Sequence, residues 1–376
     1  AVWRSGFVAD AVASFVGLSA HLHADGRIHR GILDKADMAD YTAHTEDPVS
    51  LGFRGHRIFK AGPWSQGPVL LQALAILEGY GDDELDVDTP GGVHLTLETL
   101  KLALADRDSH YGEGLSKVGL RTLLSPEYAK HRRSLITDYS SRDFRPGSGA
   151  GLSTYRPPLQ LAGGDRHAAT IGEPTVQWNG ETRGDTCHID VIDRWGNAVS
   201  ATPSGGWLQS SPTIPELGFA LGTRLQMTHL DPASPSALRP RARPRTTLSP
   251  TVITSRDRLV AMGTPGGDQQ DQWQLVMLLR HLIGGMSPQA AIEAPMFHTT
   301  SAPESFWPRT WTPGGAVLEA RFDPRLVAEL ESRGHRVEVS GPWSLGRLSM
   351  VQRDQISGRL TGAANPRGAQ GYAVGR

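Results

Sequence analysis

The sequence has 376 residues, enough for one large domain or two tightly packed ones, and a formal net charge of −1. That balance excludes a sustained pull on nucleic acid or anionic lipid, and no window approaches the ~20 consecutive apolar residues of a membrane span. The one cysteine, Cys187, excludes an intrachain disulfide framework and leaves the compartment open.

Residues 1–20 place apolar side chains at helical spacing, with no charged-then-apolar leader in view. A short acidic helix is predicted at 34–41. An alternating strand in 53–68 breaks at a Pro/Gly loop, and a helix follows over 69–80. The longest predicted helix covers 91–112, with Val93, Leu97, Leu100 and Leu104 on one stripe. Residues 139–185 are rich in Gly, Ser, Pro and Arg and read as a linker. From 186 to 260 the period changes to two, with hairpin turns at DRWGN and TSRDR. Helices are predicted at 269–283 and 287–293, then strands and one helix to the end. Helices first, then strands around central helices, predict an α+β fold with helices layered on sheets.

The stretch TCHIDVIDRWGNAVSATPS poses the functional question. On a strand, Thr186, His188, Asp190 and Ile192 share one face, while Cys187, Ile189 and Val191 share the other, apolar one. Cys187 is therefore expected to be buried in packing. Pairing Asp193 with Asn197 makes opposed residue numbers sum to 390. Thr186 then faces Ser204, and His188 faces Thr202. A threonine hydroxyl needs an adjacent base to act as a nucleophile. At a chain start its own α-amine, with a pKa of ~7.7–8.0, can serve. Gly184-Asp185 offers a flexible peptide that the Thr186 hydroxyl could open by an N-to-O acyl shift and hydrolysis. On spacing alone, Thr186 is equally a common strand-forming residue.

Two further stretches bear on that choice. RLVAMGTPGGDQQ reads as strand, Gly-rich turn and helix, with Asp268 as a candidate N-cap. Backbone N–H groups of Gly266 and Gly267 could hold an oxyanion there, helped by the helix N-terminus. RPRARPRTTLSPT sets Thr246 and Thr247 before a strand, with Arg243 and Arg245 adjacent, a pattern suited to a carboxylate. Other groups carry less. His188, His229 and His298 lack metal-ligand spacing, so no metal and no cofactor is expected. At a helix end, Asp106, Asp108 and His110 suit capping, ion pairing or contact with the other subunit. Trp207 and Trp273 could wall a pocket or fill core. Ser65 in GPWSQG lacks the nucleophile-elbow form.

Taken together, these stretches resemble the γ-glutamyltransferase family of N-terminal nucleophile hydrolases. The matching residues are T-x-H at 186–188, D-x-x-GNAVS at 193–200, Gln226-Met227, RPRTTLSPT at 243–251, GTPGG at 263–267, EAP-x-FH at 293–298 and NPRG at 365–368. PWSQGP at 63–68 and the helix at 94–112 also match. The resemblance implies a four-layer αββα sandwich and self-cleavage between Asp185 and Thr186. Residues 1–185 would be the C-terminal part of a large subunit, whose earlier part lies outside this chain, and 186–376 the small catalytic subunit. The two would form a heterodimer, with a dimer of such pairs open. It implies Thr186 as nucleophile, Ser204 as assisting hydroxyl, Gly266 and Gly267 as oxyanion loop, and Thr246 and Thr247 in place of a Ser pair that binds the substrate α-carboxylate.

Two positions depart from the pattern. The acidic residue that holds the substrate α-amine in the family is here His229, three after Gln226. The Asn that follows the second hydroxyl by two is Gly206. The expected function is thus a self-processing γ-glutamyltransferase-like amidohydrolase or acyltransferase acting on a γ-glutamyl or other acyl amide. The alternative is a non-catalytic binding or scaffold relative.

Overall fold

The computed structural model describes residues 1–23, 26–162, 186–206, 211–367 and 371–375. Asp185 and Trp207 lie outside the described residues. The chain groups into two compact units, 1–47 with 205–223, and 48–204 with 224–376.

The larger unit is built on a six-stranded antiparallel sheet. Its strands run in the order Leu360–Ala364, Ser349–Asp354, Arg258–Gly263, Thr251–Thr254, His56–Lys60, Val49–Phe53. Alternation along Arg258–Gly263 sorts its two faces. Val260 and Met262 join the main core with helices Pro68–Leu77, Pro90–His110 and Gln270–Leu278. Leu259 and Ala261 form a smaller core with Ile192, from the hairpin Ile189–Ile192/Ala198–Ala201. Helices thus cover one face of the sheet and the hairpin lies on the other. A second sheet joins Phe297–Thr299, Gly315–Glu319 and Arg336–Ser340, the last two parallel and linked by helix Pro324–Ser332.

Helix Pro90–His110 starts where Thr89 accepts from Gly92 N–H and Pro90 sets the first turn. It is buried around nearly its whole circumference, as a helix at the centre of a large core must be. Its buried acids tie down the irregular stretch that follows. Glu98 takes Arg145 Nη2 at 3.0 Å, and Asp106 takes Gly147 N–H at 2.6 Å. Within 139–162 the linker composition therefore belongs to an anchored segment, not a loose one, because these carboxylates need donors. Helices Lys117–Leu123 and Pro126–Arg133, capped by Ser116 and Ser125, were not foreseen.

The smaller unit carries helices Val2–Ser5, Phe7–Leu18 and Lys35–Asp40 and two short ribbons. Val8, Val12 and Ile214 form its core, and Trp3 stacks on Phe219 at 5.7 Å. Asp34 and Asp37 close a capping box on the third helix.

Candidate active site

The hairpin has the predicted register. Ile189 pairs with Ala201 and Ile192 with Ala198, so opposed numbers sum to 390. Beyond the paired strands, Cys187 N–H donates to Pro203 O at 3.2 Å, which extends the register toward residue 186. Thr186 Oγ1 donates to Ser204 Oγ at 2.9 Å, and His188 Nδ1 meets Thr202 Oγ1 at 2.7 Å. His188 Nε2 lies 2.8 Å from Asp190 Oδ1, and Ser349 Oγ donates to Asp190 Oδ2 at 2.9 Å.

The face assignment needs one correction. Cys187 is exposed, as are Ile189 and Val191. The inward face is the polar one, because His188 and Asp190 find their partners against the large sheet. The apolar face of the strand is uncovered among the described residues.

Stacking on the sheet also positions the Gly-rich turn. Ile192 sits over Leu259 and Ala261. Two residues back along the hairpin strand, Asp190 bonds Ser349, which pairs with Gly263. The His188 ring lies so close to Gly263 that an added Cβ would come within 2.2 Å of it. Gly266 has φ +131° and Gly267 +49°, conformations that favour glycine. A Cβ on Gly266 would meet Trp273 Cζ3 at 2.4 Å. Trp273 is thus buried packing beneath the turn, edge-on to His298 at 5.8 Å. The first N–H groups of a helix lack intrahelical acceptors, so this turn offers donors.

Asp268 does not cap the helix; the N-cap there is Gly266, without a side-chain bond. Asp268 faces Arg107 instead and accepts from Ser305 N–H at 2.8 Å. The reason is charge. Arg107 is fully buried, and Asp108 and Asp268 outweigh burial to hold its guanidinium firmly charged. Asp108 also takes Arg245 Nη2 at 3.3 Å, so the ion-pair reading of Asp108 fits. Asp106 accepts from Tyr128 Oη at 2.9 Å, a structural role.

The other predicted residues divide. Thr246 and Thr247 are buried; Thr246 Oγ1 accepts from Leu248 N–H at 3.2 Å, within its own turn. Gln226 O accepts from Arg309 Nη2 at 3.1 Å. His229 sits edge-on to Tyr155, ring centroids 6.3 Å apart. Burial, then Arg309 and Arg245, push its pKa down to about 3, so its ring is neutral. Gly206, φ +92°, belongs to the smaller unit. Ser65 is buried and donates to Gly62 O at 2.9 Å, an ordinary turn. Among the described residues, the histidines and acids that cluster are His94, Glu98 and His335, not the set His188, His229 and His298.

Sequence reasoning missed Arg224, whose Nη2 donates to Ser204 Oγ at 2.6 Å. It also missed Arg309 and Ser305. Their only sequence signal was position: an Arg two residues before Gln226-Met227, and a cation in the Pro-braced turn FWPRT.

By fold, the protein is a mixed α/β member of the N-terminal nucleophile hydrolase class. The chain belongs to the gamma-glutamyltranspeptidase family, whose model matches residues 3–375. It superposes on LmbA2991HD with a TM-score of 0.89 and 48% identity, over 100% of this chain and 63% of that one. Cephalosporin acylase from Bacillus halodurans gives a TM-score of 0.75 and 26% identity, over 97% and 58%. The glutathione hydrolase-like YwrD proenzyme of Bacillus subtilis strain 168 is 31% identical over 346 residues, 89% of this chain and 58% of the relative. The chain spans about half the length of the curated relatives it matches.

Proposed function

We propose that the protein is a self-processing amidohydrolase or acyltransferase with Thr186 as its N-terminal nucleophile. The observation that carries this reading is the Thr186–Ser204 hydroxyl pair, 2.9 Å apart at the head of the hairpin. In processing, Thr186 Oγ attacks the carbonyl carbon of Asp185, and the peptide becomes an ester as the amine departs. Water then hydrolyses the ester and leaves Thr186 with a free α-amine. In turnover that amine takes the proton from Oγ as the oxygen attacks a substrate amide carbonyl. The Gly266 and Gly267 N–H groups receive the oxyanion, a contribution of ~3–4 kcal/mol when well aimed. The departing amine leaves with the proton, and water or an acceptor amine releases the acyl group. Residues 186–376 form the small subunit and stay paired with the chain before them, inside a four-layer αββα sandwich.

The acyl group in this reading is not that of a free γ-glutamyl amino acid. A neutral His229 offers an ammonium group no negative charge. The reading is tested by turnover of an acyl-p-nitroanilide panel with the full-length protein and with Thr186→Ala. Loss of at least about 10³-fold in the variant is expected. Undiminished turnover in Thr186→Ala contradicts the nucleophile. Efficient γ-glutamyl transfer to a dipeptide contradicts the altered substrate.

A further inference from the structure

The hydroxyl pair carries a cation that the proposed mechanism leaves unused. Ser204 Oγ accepts from Thr186 Oγ1 at 2.9 Å and from Arg224 Nη2 at 2.6 Å. A hydroxyl oxygen has two acceptor sites, and here the nucleophile takes one and a guanidinium the other. A bond from a charged donor is about twice as strong as a neutral one, so Arg224 fixes where Ser204 Oγ stands, and Thr186 aligns on it. Thr186, Ser204 and Arg224 are all half-buried, where charge is screened less than at an open surface.

Local structure sets the direction of that guanidinium. Arg224 opens the 3₁₀ turn Arg224–Met227, and its Nη1 lies 3.3 Å from Met227 Sδ at the turn's far end. Its guanidinium carbon stands 6.0 Å from the centroid of the Phe306 ring, a cation–π contact. The backbone of the turn is clamped in its place by Arg309 Nη2, which donates to Gln226 O at 3.1 Å and to Thr228 O at 2.9 Å.

We infer that Arg224 is a positioning residue that activates Thr186 through Ser204. This rests on the acyl-transfer reading and names a second source of reactivity beside the α-amine. In turnover the Thr186 Oγ proton passes to the α-amine, Oγ bonds to the carbonyl carbon, and the carbonyl electron pair moves onto its oxygen. As Oγ loses its proton, the Ser204 hydroxyl turns and donates to it, without giving its own proton up. A hydroxyl that donates to an anionic oxygen gains negative character itself, and the Arg224 cation lies against the oxygen that gains it. In processing the same pair serves the attack on the carbonyl ahead of Thr186, with the Thr186 proton ending on the departing amine. One cation therefore speeds both steps.

The test follows two rates in the full-length protein: self-cleavage before Thr186, read on a denaturing gel, and turnover of butyryl-p-nitroanilide, an uncharged acyl probe. Arg224→Gln should slow self-cleavage and lower kcat by at least about tenfold each, the weight of one charge-assisted hydrogen bond, with KM unchanged. Arg224→Lys should recover most of both rates. In Arg224→Ala, methylguanidinium well below denaturing concentration should restore the rates, while methylurea, its neutral analogue, should not. Wild-type rates in Arg224→Gln overturn the inference. So does a raised KM at unchanged kcat, which would make Arg224 a substrate-binding group, and so does rescue by methylurea, which would make it a space filler. If Arg224→Gln does not fold, the rescue of Arg224→Ala decides; if the wild type does not turn over the probe, self-cleavage decides. Thr186→Ala separates the two claims. Undiminished rates in that variant end the acyl-transfer reading and this inference with it, whereas a dead Thr186→Ala beside a fully active Arg224→Gln ends the inference alone.

Discussion

At the scale of single residues, the site depends on positions that admit few replacements. Gly266 combines φ +131° with a Trp273 ring 2.4 Å from where a Cβ would stand. Gly266→Ala is expected to cost ~2–4 kcal/mol from backbone strain and overpacking together, read as a lower urea midpoint. A loss under ~0.5 kcal/mol would mean that the turn relaxes freely. Lys60 and Asp271, 3.1 Å apart, are a buried ion pair with side chains 0% and 1% exposed. Lys60→Met removes the cation that faces buried Asp271 and leaves it the Ser249 hydroxyl at 2.5 Å, and should destabilise the fold by ~3–5 kcal/mol. An unchanged midpoint would contradict that. The facing of Thr186 and Ser204 and the glycine backbone at 266 and 267 were legible in the sequence because strand parity and glycine conformation act locally. Arg224, Arg309 and Ser305 were not. A surface arginine and a buried one are the same letter, and only tertiary contacts separate them.

At the scale of elements, the hairpin shows what pattern can and cannot settle. Turn chemistry at DRWGN set the register, and Ile189 opposite Ala201 obeys it. Which face turned inward was decided elsewhere. Ser349 and Gly263 on the large sheet supply a partner and a space for Asp190 and His188, so hydrophobicity alone misplaced Cys187. Helices 117–123 and 126–133 are short, and their periodicity is weak beside their serine caps. A histidine pair joins helix 90–110 to the start of strand 336–340. His94 Nδ1 and His335 Nε2 are 2.8 Å apart, and His94 Nε2 lies 2.8 Å from Thr137 O. Glu98, Lys101 and Arg333 are the charged groups around them. Burial first, then Lys101, push His335 down from 6.5 to about 2. The folded state therefore stays neutral where the unfolded state takes up a proton. Stability should fall as pH drops below 6.5 toward the folded value. His335→Asn should flatten that acid limb in urea titrations carried downward from pH 6.5, the ordinary histidine value at which the limb begins. A limb of unchanged slope would show that the pair does not contribute.

At the scale of the whole molecule, the expected cut would not fall between folding units. The six-stranded sheet takes Val49–Phe53 and His56–Lys60 from before residue 186 and four strands from after it. Breaking one bond ahead of Thr186 leaves those ladders and the shared core intact, so two cut pieces should remain together until denatured. The layered α+β character was legible from the order of helical and strand patterns. The sheet shared across the cut was not, because pairing of residue 58 with 253 is invisible to local periodicity. The most direct measurement is N-terminal sequencing of the fragments that the purified full-length protein yields on a denaturing gel. The account predicts a smaller fragment beginning TCHID, absent in Thr186→Ala. A chain that turns over amides while still unbroken before Thr186 would contradict it.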